Sequence, residues 1–181
     1  MKTTTLTRPL PLIAALLLAL SFAFACGDDD GGDNGADALS GYFADVQQIF
    51  ADADDATSEA EERANDAESG GTLDARLAAF DTYLGETDAI FGEATDRLQD
   101  LDAPAAAADA HQDFIDGVLD QIATLNELRI DLTDVTTDEQ MESRLTEFNS
   151  GIAGGVDKAD AACLALQNVA DAGNVSVDLN C

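Results

Sequence analysis

Three cysteines and a single histidine offer the most distinctive side-chain chemistry in this chain of 181 residues. A cysteine can accept a lipid, form a disulfide or act as a nucleophile, depending on the compartment and on its neighbours. Cys26 lies between an apolar leader and a Gly/Asp-rich stretch, whereas Cys163 and Cys181 lie near the C-terminus. The chemistry of each cysteine therefore has to be inferred from the segment that carries it.

The first 25 residues have the pattern of an export signal. Lys2 and Arg8 supply positive charge, residues 10–24 are almost entirely apolar, and Ala23 and Ala25 are the small residues that a signal peptidase requires. The apolar run is shorter than the roughly 20 residues that a spanning helix needs. We therefore expect residues 1–25 to be a cleaved signal peptide and the protein to be exported.

Cys26 directly follows the expected cleavage site, and this arrangement resembles the lipobox of bacterial lipoproteins. The family usually has leucine three residues before the cysteine, where this chain has Ala23. Ala23 and Ala25 also suit the ordinary signal peptidase, which would release a secreted protein with a free thiol. The resemblance implies lipidation of Cys26, such as palmitate, and anchoring to the cell membrane on its extracellular or periplasmic side. Several acyl chains would be needed, because one chain holds only weakly.

Cys163 and Cys181 remain as a pair if Cys26 carries lipid. Apolar and polar residues alternate after Gly173, which predicts an extended tail. An extended chain reaches about 3.3 Å per residue, so the tail is long enough to bring Cys181 back to Cys163. An oxidising exterior favours a disulfide between them. Two free thiols are the alternative.

His111 is the only histidine. We expect it to be a hydrogen-bonded residue at the edge of the core. A di-iron bundle needs histidines on two helices, which this chain does not supply. A haem ligand pair with Met141 is disfavoured, since antiparallel helices would place the two residues at opposite ends of a bundle. Serine-nucleophile turns, phosphate loops and dinucleotide fingerprints are absent from the sequence. We predict no catalytic residue, no metal site, no cofactor and a protein that is not an enzyme.

Acidic residues dominate the surface chemistry: 37 Asp and Glu oppose 8 Lys and Arg, for a net charge of −29. This charge disfavours nucleic acid as a partner and attracts cations. Two aspartate-rich stretches, at 28–33 and 52–55, do not match a calcium-binding loop. Weak binding of divalent cations stays open beside the simpler interpretation of a solvated acidic surface.

Four segments carry apolar or small residues at alternating intervals of three and four, the heptad pattern of a helix with one buried face. A Ser-Gly-Gly stretch before an N-cap at Thr72, then Pro104, then a Thr137/Gln140 capping box separate them. The third buried face is the widest: His111, Phe114, Ile115, Val118, Leu119, Ile122, Leu125, Arg129 and Leu132.

Short connections favour antiparallel neighbours. We therefore predict an all-α fold, an antiparallel up-down four-helix bundle with an extended C-terminal tail tied back by a disulfide. A coiled-coil hairpin that dimerises is the alternative, and the wide third face argues against it. The predicted divisions are a signal peptide (1–25), lipidated Cys26 with a flexible acidic tether (26–38), the bundle (39–172) and the tail (173–181). Gly151, Gly154 and Gly155 in the fourth helix indicate a close helix crossing or a soft kink.

The C-terminal segment resembles a tail shared by small uncharacterised bacterial lipoproteins with a helical-bundle domain. Its elements here are Cys163, Leu166-Gln167, Ala170-Asp171, Gly173 and the closing Val-Asp-Leu-Asn-Cys of residues 177–181. The resemblance implies a lipid-anchored helical domain and no known activity. We expect a membrane-anchored, non-enzymatic bundle in the cell envelope, structural or binding an envelope protein. The alternative is an envelope binding protein for a small ligand or divalent cations.

Overall fold

The computed structural model describes residues 34–68, 71–179 and 181. It has four helices, α1 (Asn34–Glu68), α2 (Leu73–Gln99), α3 (Ala108–Leu132) and α4 (Asp138–Ala172), followed by an extended tail. The predicted all-α class is confirmed. Helix α1 begins earlier than expected, inside the stretch that was predicted to be tether, and Cys26 lies outside the described residues.

Consecutive helices run antiparallel, as ion pairs between them show. Arg63 of α1 pairs with Glu86 of α2, while Asp52, earlier in α1, pairs with Arg97, later in α2. The most extensive packing is between α3 and α4, followed by α1 with α2 and α2 with α3, whereas α1 and α4 meet over a small area. The predicted up-down four-helix bundle is therefore confirmed.

Two apolar clusters fill the ends of the bundle. The proximal cluster lies where α1 begins, and all four helices and the tail contribute to it, through residues such as Phe43, Leu98, Ile115, Leu166 and Leu179. The distal cluster lies at the opposite end, near the connections α1–α2 and α3–α4. Its members include Phe80, Leu84, Leu125, Leu132 and Met141.

A polar layer separates the two clusters. Its buried side chains are threonines and a glutamine, namely Thr57 of α1, Thr87 and Thr95 of α2, and Gln121 of α3. Each threonine hydroxyl donates to the carbonyl four residues earlier in its own helix, at 2.7–2.9 Å. The threonines are therefore satisfied within their own helices, whereas the Gln121 amide of α3 donates to the Gly155 carbonyl of α4 at 3.5 Å.

Glycines allow α3 and α4 to approach closely at this level. A Cβ on Gly117 would lie 2.7 Å from the backbone nitrogen of Ala159, and one on Gly155 would lie 3.2 Å from the Gly117 carbonyl oxygen. Gly154 would meet nothing within 4 Å, and Gly151 only makes an ordinary contact with Thr124. Of the three glycines noted in the fourth helix, Gly155 alone marks the close crossing.

The local capping signals act as the sequence indicates, with two differences. Thr72 accepts from the Ala75 amide, and Thr137 and Gln140 form a complete capping box. Pro104 starts a turn, in which its carbonyl accepts from Ala107, and α3 begins only after that turn. Helices α2 and α3 are therefore joined by a longer connection than the sequence suggested.

Helix α4 ends at Ala172 with Gly173 as its C-cap, and the left-handed residue lies one position further along. Asn174, with φ of 55°, is the residue in the left-handed conformation, and the Val175 amide bonds back to the Ala170 carbonyl at 2.9 Å. Asparagine tolerates this conformation better than most residues. Gly173 instead leaves room for the Leu39 side chain of α1, which a Cβ at this position would overlap.

The tail returns along α4 and is held there in two ways. A disulfide joins Cys163 to Cys181, whose Cα atoms are 5.6 Å apart. The Gln167 amide also brackets the tail backbone, donating to the Val177 carbonyl at 2.9 Å and accepting from the Leu179 amide at 2.8 Å. The predicted extended tail tied back by a disulfide is confirmed.

Most residues of the predicted buried face of α3 point inward, but Leu119 does not. Its side chain is 42% exposed, whereas Ile115 and Leu125 are 2% exposed. Leu119 follows Val118 and is therefore rotated a further 100° around the helix, away from the core. The assignment of Leu119 to the core was wrong, and Arg129 of the same set pairs with Asp81 rather than entering the core.

Candidate functional site

The proximal end holds the described part's single histidine in a hydrogen-bonded network across three helices. The Tyr42 hydroxyl of α1 and His111 Nδ1 of α3 are 2.9 Å apart. A hydrogen bond with the backbone of Leu98, at the end of α2, also acts on the ring.

Burial sets the protonation of this network. Desolvation lowers the pKa of His111, and the hydrogen bond to Leu98 acts against that effect. Desolvation also raises the pKa of Tyr42 to about 12. Both groups are therefore neutral at pH 7. The ring is 7% exposed and its Nδ1 atom is bonded to Tyr42, so the arrangement joins neighbouring helices rather than offering an exposed base.

Met141 lies in the distal cluster, whereas His111 lies at the proximal end beside Tyr42. This separation agrees with the expectation that the two side chains do not form a ligand pair. The described residues contain no group of three or more His, Cys, Asp or Glu side chains arranged to hold a metal ion.

The acidic stretch at 52–55 does not form a common site. Asp52 pairs with Arg97 at 2.8 Å, and hydrogen bonds from Arg97 and Gln48 lower its pKa. Asp54 lies partly inside, where burial and the neighbouring Asp55 charge raise its pKa. The aspartates thus face different surroundings, and the cluster at 28–33 lies outside the described residues.

Glu61 is the functional candidate that the sequence did not reveal. Its Oε1 atom is buried and has no hydrogen-bond partner within the described residues. Burial raises the pKa of Glu61, a hydrogen bond with Tyr83 opposes this, and the Asp54 charge adds to the rise. Glu61 follows Thr57 by one helical turn and so borders the polar layer. Only the packing of α2 against α1 distinguishes it from the many exposed glutamates.

Charge on the described surface is arranged asymmetrically. All six Arg and Lys residues of this part form ion pairs, and each links two different helices, as Arg129–Asp81 and Arg144–Asp131 do. No Arg or Lys lies in 34–62, 98–128 or 159–181. The proximal end of the bundle is therefore acidic without compensating cations, and exposed pairs elsewhere stabilise only weakly.

Comparison with known proteins gives no relative: no family model, no curated protein and no solved structure matches this chain. Among the described residues, no helix combines the length and the apolar character required to cross a bilayer.

Proposed function

We propose that this protein is a membrane-anchored lipoprotein of the cell envelope, and that its helical bundle serves as a non-enzymatic interaction module. The observation that carries the proposal is the position of α1 relative to Cys26. Helix α1 begins at Asn34, eight residues after Cys26. Eight residues span at most about 28 Å, so a lipid on Cys26 would hold the proximal end close to the bilayer.

The charge distribution supports this orientation. The proximal end lacks cations, and the stretch 27–33 adds four aspartates. Anionic headgroups would repel this end and keep the bundle from lying flat on the surface. The sides and the distal end would then be accessible to partners in the envelope.

The interior supports a binding rather than a catalytic role. The histidine is buried and bonded to Tyr42 of another helix, and the buried threonines bond within their own helices. The groups that would be expected to act on a substrate are therefore used in the helices and in the contacts between them. An interaction module needs only a stable body and an exposed face.

In-cell photocrosslinking tests the proposal. A photoreactive amino acid is placed at exposed positions of each helix in turn, and crosslinked species are isolated from membranes. We expect discrete protein adducts from one face, and their loss in Cys26→Ser, which would no longer be anchored. Absence of adducts from every face of the anchored protein would contradict the proposal.

A second candidate function is the binding of a divalent cation, favoured by the buried, unpartnered Oε1 atom of Glu61. A calcium titration at constant ionic strength would then raise the melting temperature of the wild type but not of Glu61→Gln. Equal shifts in both proteins would show that calcium acts at other carboxylates of the acidic surface and not at Glu61.

A further inference from the structure

Helix α3 carries an exposed apolar stripe. Leu119 is 42% exposed and Ile130 is 69% exposed, and Ala123 between them is exposed as well. Four and seven residues separate these positions, so all three lie on one side of the helix, over about 16 Å. The only other large apolar side chain with comparable exposure in the described part is Leu164, on α4.

The stripe borders α2. Asn126 lies seven residues after Leu119 and four before Ile130, and its amide donates to Asp88 of α2 at 3.1 Å. Residues at these intervals share a helix face. The exposed apolar side chains therefore flank the line along which α2 and α3 touch.

Helix α2 presents small residues beside that line. Gly85, Ala89 and Gly92 recur at intervals of four and three, which places them on one side of α2. A Cβ at Gly85 would lie 3.5 Å from the Arg129 guanidinium of α3, which fixes this side as the one facing α3. A Cβ at Gly92 would meet nothing within 4 Å, and Ala89 is exposed.

The two helices together form a shallow apolar channel, the outer α2–α3 groove. Small residues of α2 form its floor and larger apolar residues of α3 form one wall. Its members are Ala89, Gly92, Leu119, Ala123 and Ile130, and the Arg129 guanidinium covers Gly85 at one end of it.

Acidic side chains follow the groove on both helices. Glu93, Asp96 and Glu127 are exposed, and each lies four residues after a groove residue, on the same side of its helix. The nearest cation, Arg129, is paired with Asp81 at 3.1 Å. An occupant of the groove must therefore be apolar along its centre and basic along its edges.

We propose that the outer α2–α3 groove binds an amphipathic helix of a basic envelope protein, with an apolar ridge flanked by Lys and Arg. The ridge packs on Leu119, Ala123 and Ile130, and the small residues of α2 let the helix approach closely. The flanking cations pair with the acidic edges. A second copy of this chain does not fit, because it would bring a further net charge of −29 to the same surface.

This inference rests on the proposed function, whose partner surface it names. The test uses the mature full chain and a synthetic helix of about 18 residues, long enough to cover the stripe. The peptide carries a leucine ridge between rows of arginine, and a matched peptide carries glutamate in those rows. Binding is measured by fluorescence anisotropy, and contacted residues by NMR shift mapping.

We expect the arginine peptide to bind and to shift α2 and α3 signals around the groove, with weaker binding at higher salt. The double variant Leu119→Gln/Ile130→Gln should bind at least about tenfold more weakly. Leu164→Gln is the matched control and should bind like the wild type. All three positions are exposed, and circular dichroism verifies that the variants are folded.

Equal binding by the double variant and the wild type, or shifts on another face, would overturn the groove assignment. Photocrosslinks in cells that persist unchanged in the double variant would do the same while leaving the interaction function intact. The absence of crosslinks from every face of the wild-type protein would instead contradict the proposed function itself. The two failures are therefore distinguishable.

Discussion

Tyr42 of α1 and His111 of α3 are joined by a buried hydrogen bond of 2.9 Å between residues 69 positions apart in the chain. The same imidazole also bonds to the backbone at the end of α2. One side chain thus ties three helices together at the end of the bundle where α1 begins. Its importance for stability follows from burial, because a buried polar group without a partner is costly.

Tyr42→Phe should lower the free energy of unfolding by about 1–3 kcal/mol, because it leaves His111 Nδ1 buried without a partner. Urea unfolding followed by circular dichroism measures the change. Thr82→Ala is a suitable control, since that residue is exposed and its hydroxyl bonds only to the carbonyl of Ala78 in its own helix. A loss in Tyr42→Phe no larger than in the control would show that the network contributes little.

His111 should also make stability depend on pH. Its pKa in the folded protein lies below the ordinary 6.5, so the unfolded chain takes up the proton first as the pH falls. Stability is unaffected by His111 above pH 6.5 and declines from there down to the folded-state pKa. Glu61 and Asp54 have raised pKa values and therefore act in the opposite direction, stabilising as they become protonated.

An NMR titration of the His111 ring separates this effect from the carboxylates, because it follows one group in the folded protein. We expect a midpoint below pH 6.5. A midpoint at or above that value would contradict the buried, neutral assignment, whatever the total stability does.

Two glycines in the bundle should respond oppositely to alanine. Gly117→Ala places a methyl group 2.7 Å from the Ala159 backbone nitrogen, and should destabilise by about 1–3 kcal/mol. Gly154→Ala places it in open space inside a helix, and should stabilise by up to about 1 kcal/mol. Chemical denaturation of both variants measures the signs. A neutral Gly117→Ala would contradict the close crossing of α3 and α4, and destabilisation by Gly154→Ala would contradict the open position of Gly154.

Loss of the tail disulfide should lower the free energy of unfolding by about 3 kcal/mol, as expected for the closure of a loop of this length. The double variant Cys163→Ser/Cys181→Ser is compared with the oxidised wild type. The Gln167 amide should retain part of the tail on α4, and adding Gln167→Ala should release it. Hydrogen exchange at the Leu179 amide reports that release, and protection that persists in the triple variant would refute the role of Gln167.

Much of the fold could be predicted from local patterns. The heptad spacing revealed four helices, and residues such as Thr72 and Thr137 marked their starts because capping depends on a few neighbouring groups. The pairing of Cys163 with Cys181 could be inferred because it depends only on the reach of the tail and on its extended pattern, which are both local features of the sequence.

The remaining features depend on packing between helices, which a single helical pattern does not encode. Leu119 fits an apolar stripe as well as Val118 does, and only the packing of the neighbouring helices leaves it outside the core. Gly117 gave no signal, since its importance comes from Ala159 on another helix. In the sequence Glu61 resembles every other glutamate, and only its burial and its hydrogen bond with Tyr83 in the folded bundle distinguish it.

The central claim is that Cys26 carries the lipid that holds this acidic bundle at the membrane. Intact mass spectrometry of the mature protein, purified from membranes of the producing cells, tests it most directly. The account predicts a chain that begins at Cys26 and carries acyl mass on that residue, whereas Cys26→Ser lacks the added mass and leaves the membrane fraction. An unmodified wild-type chain recovered from the culture medium would contradict it.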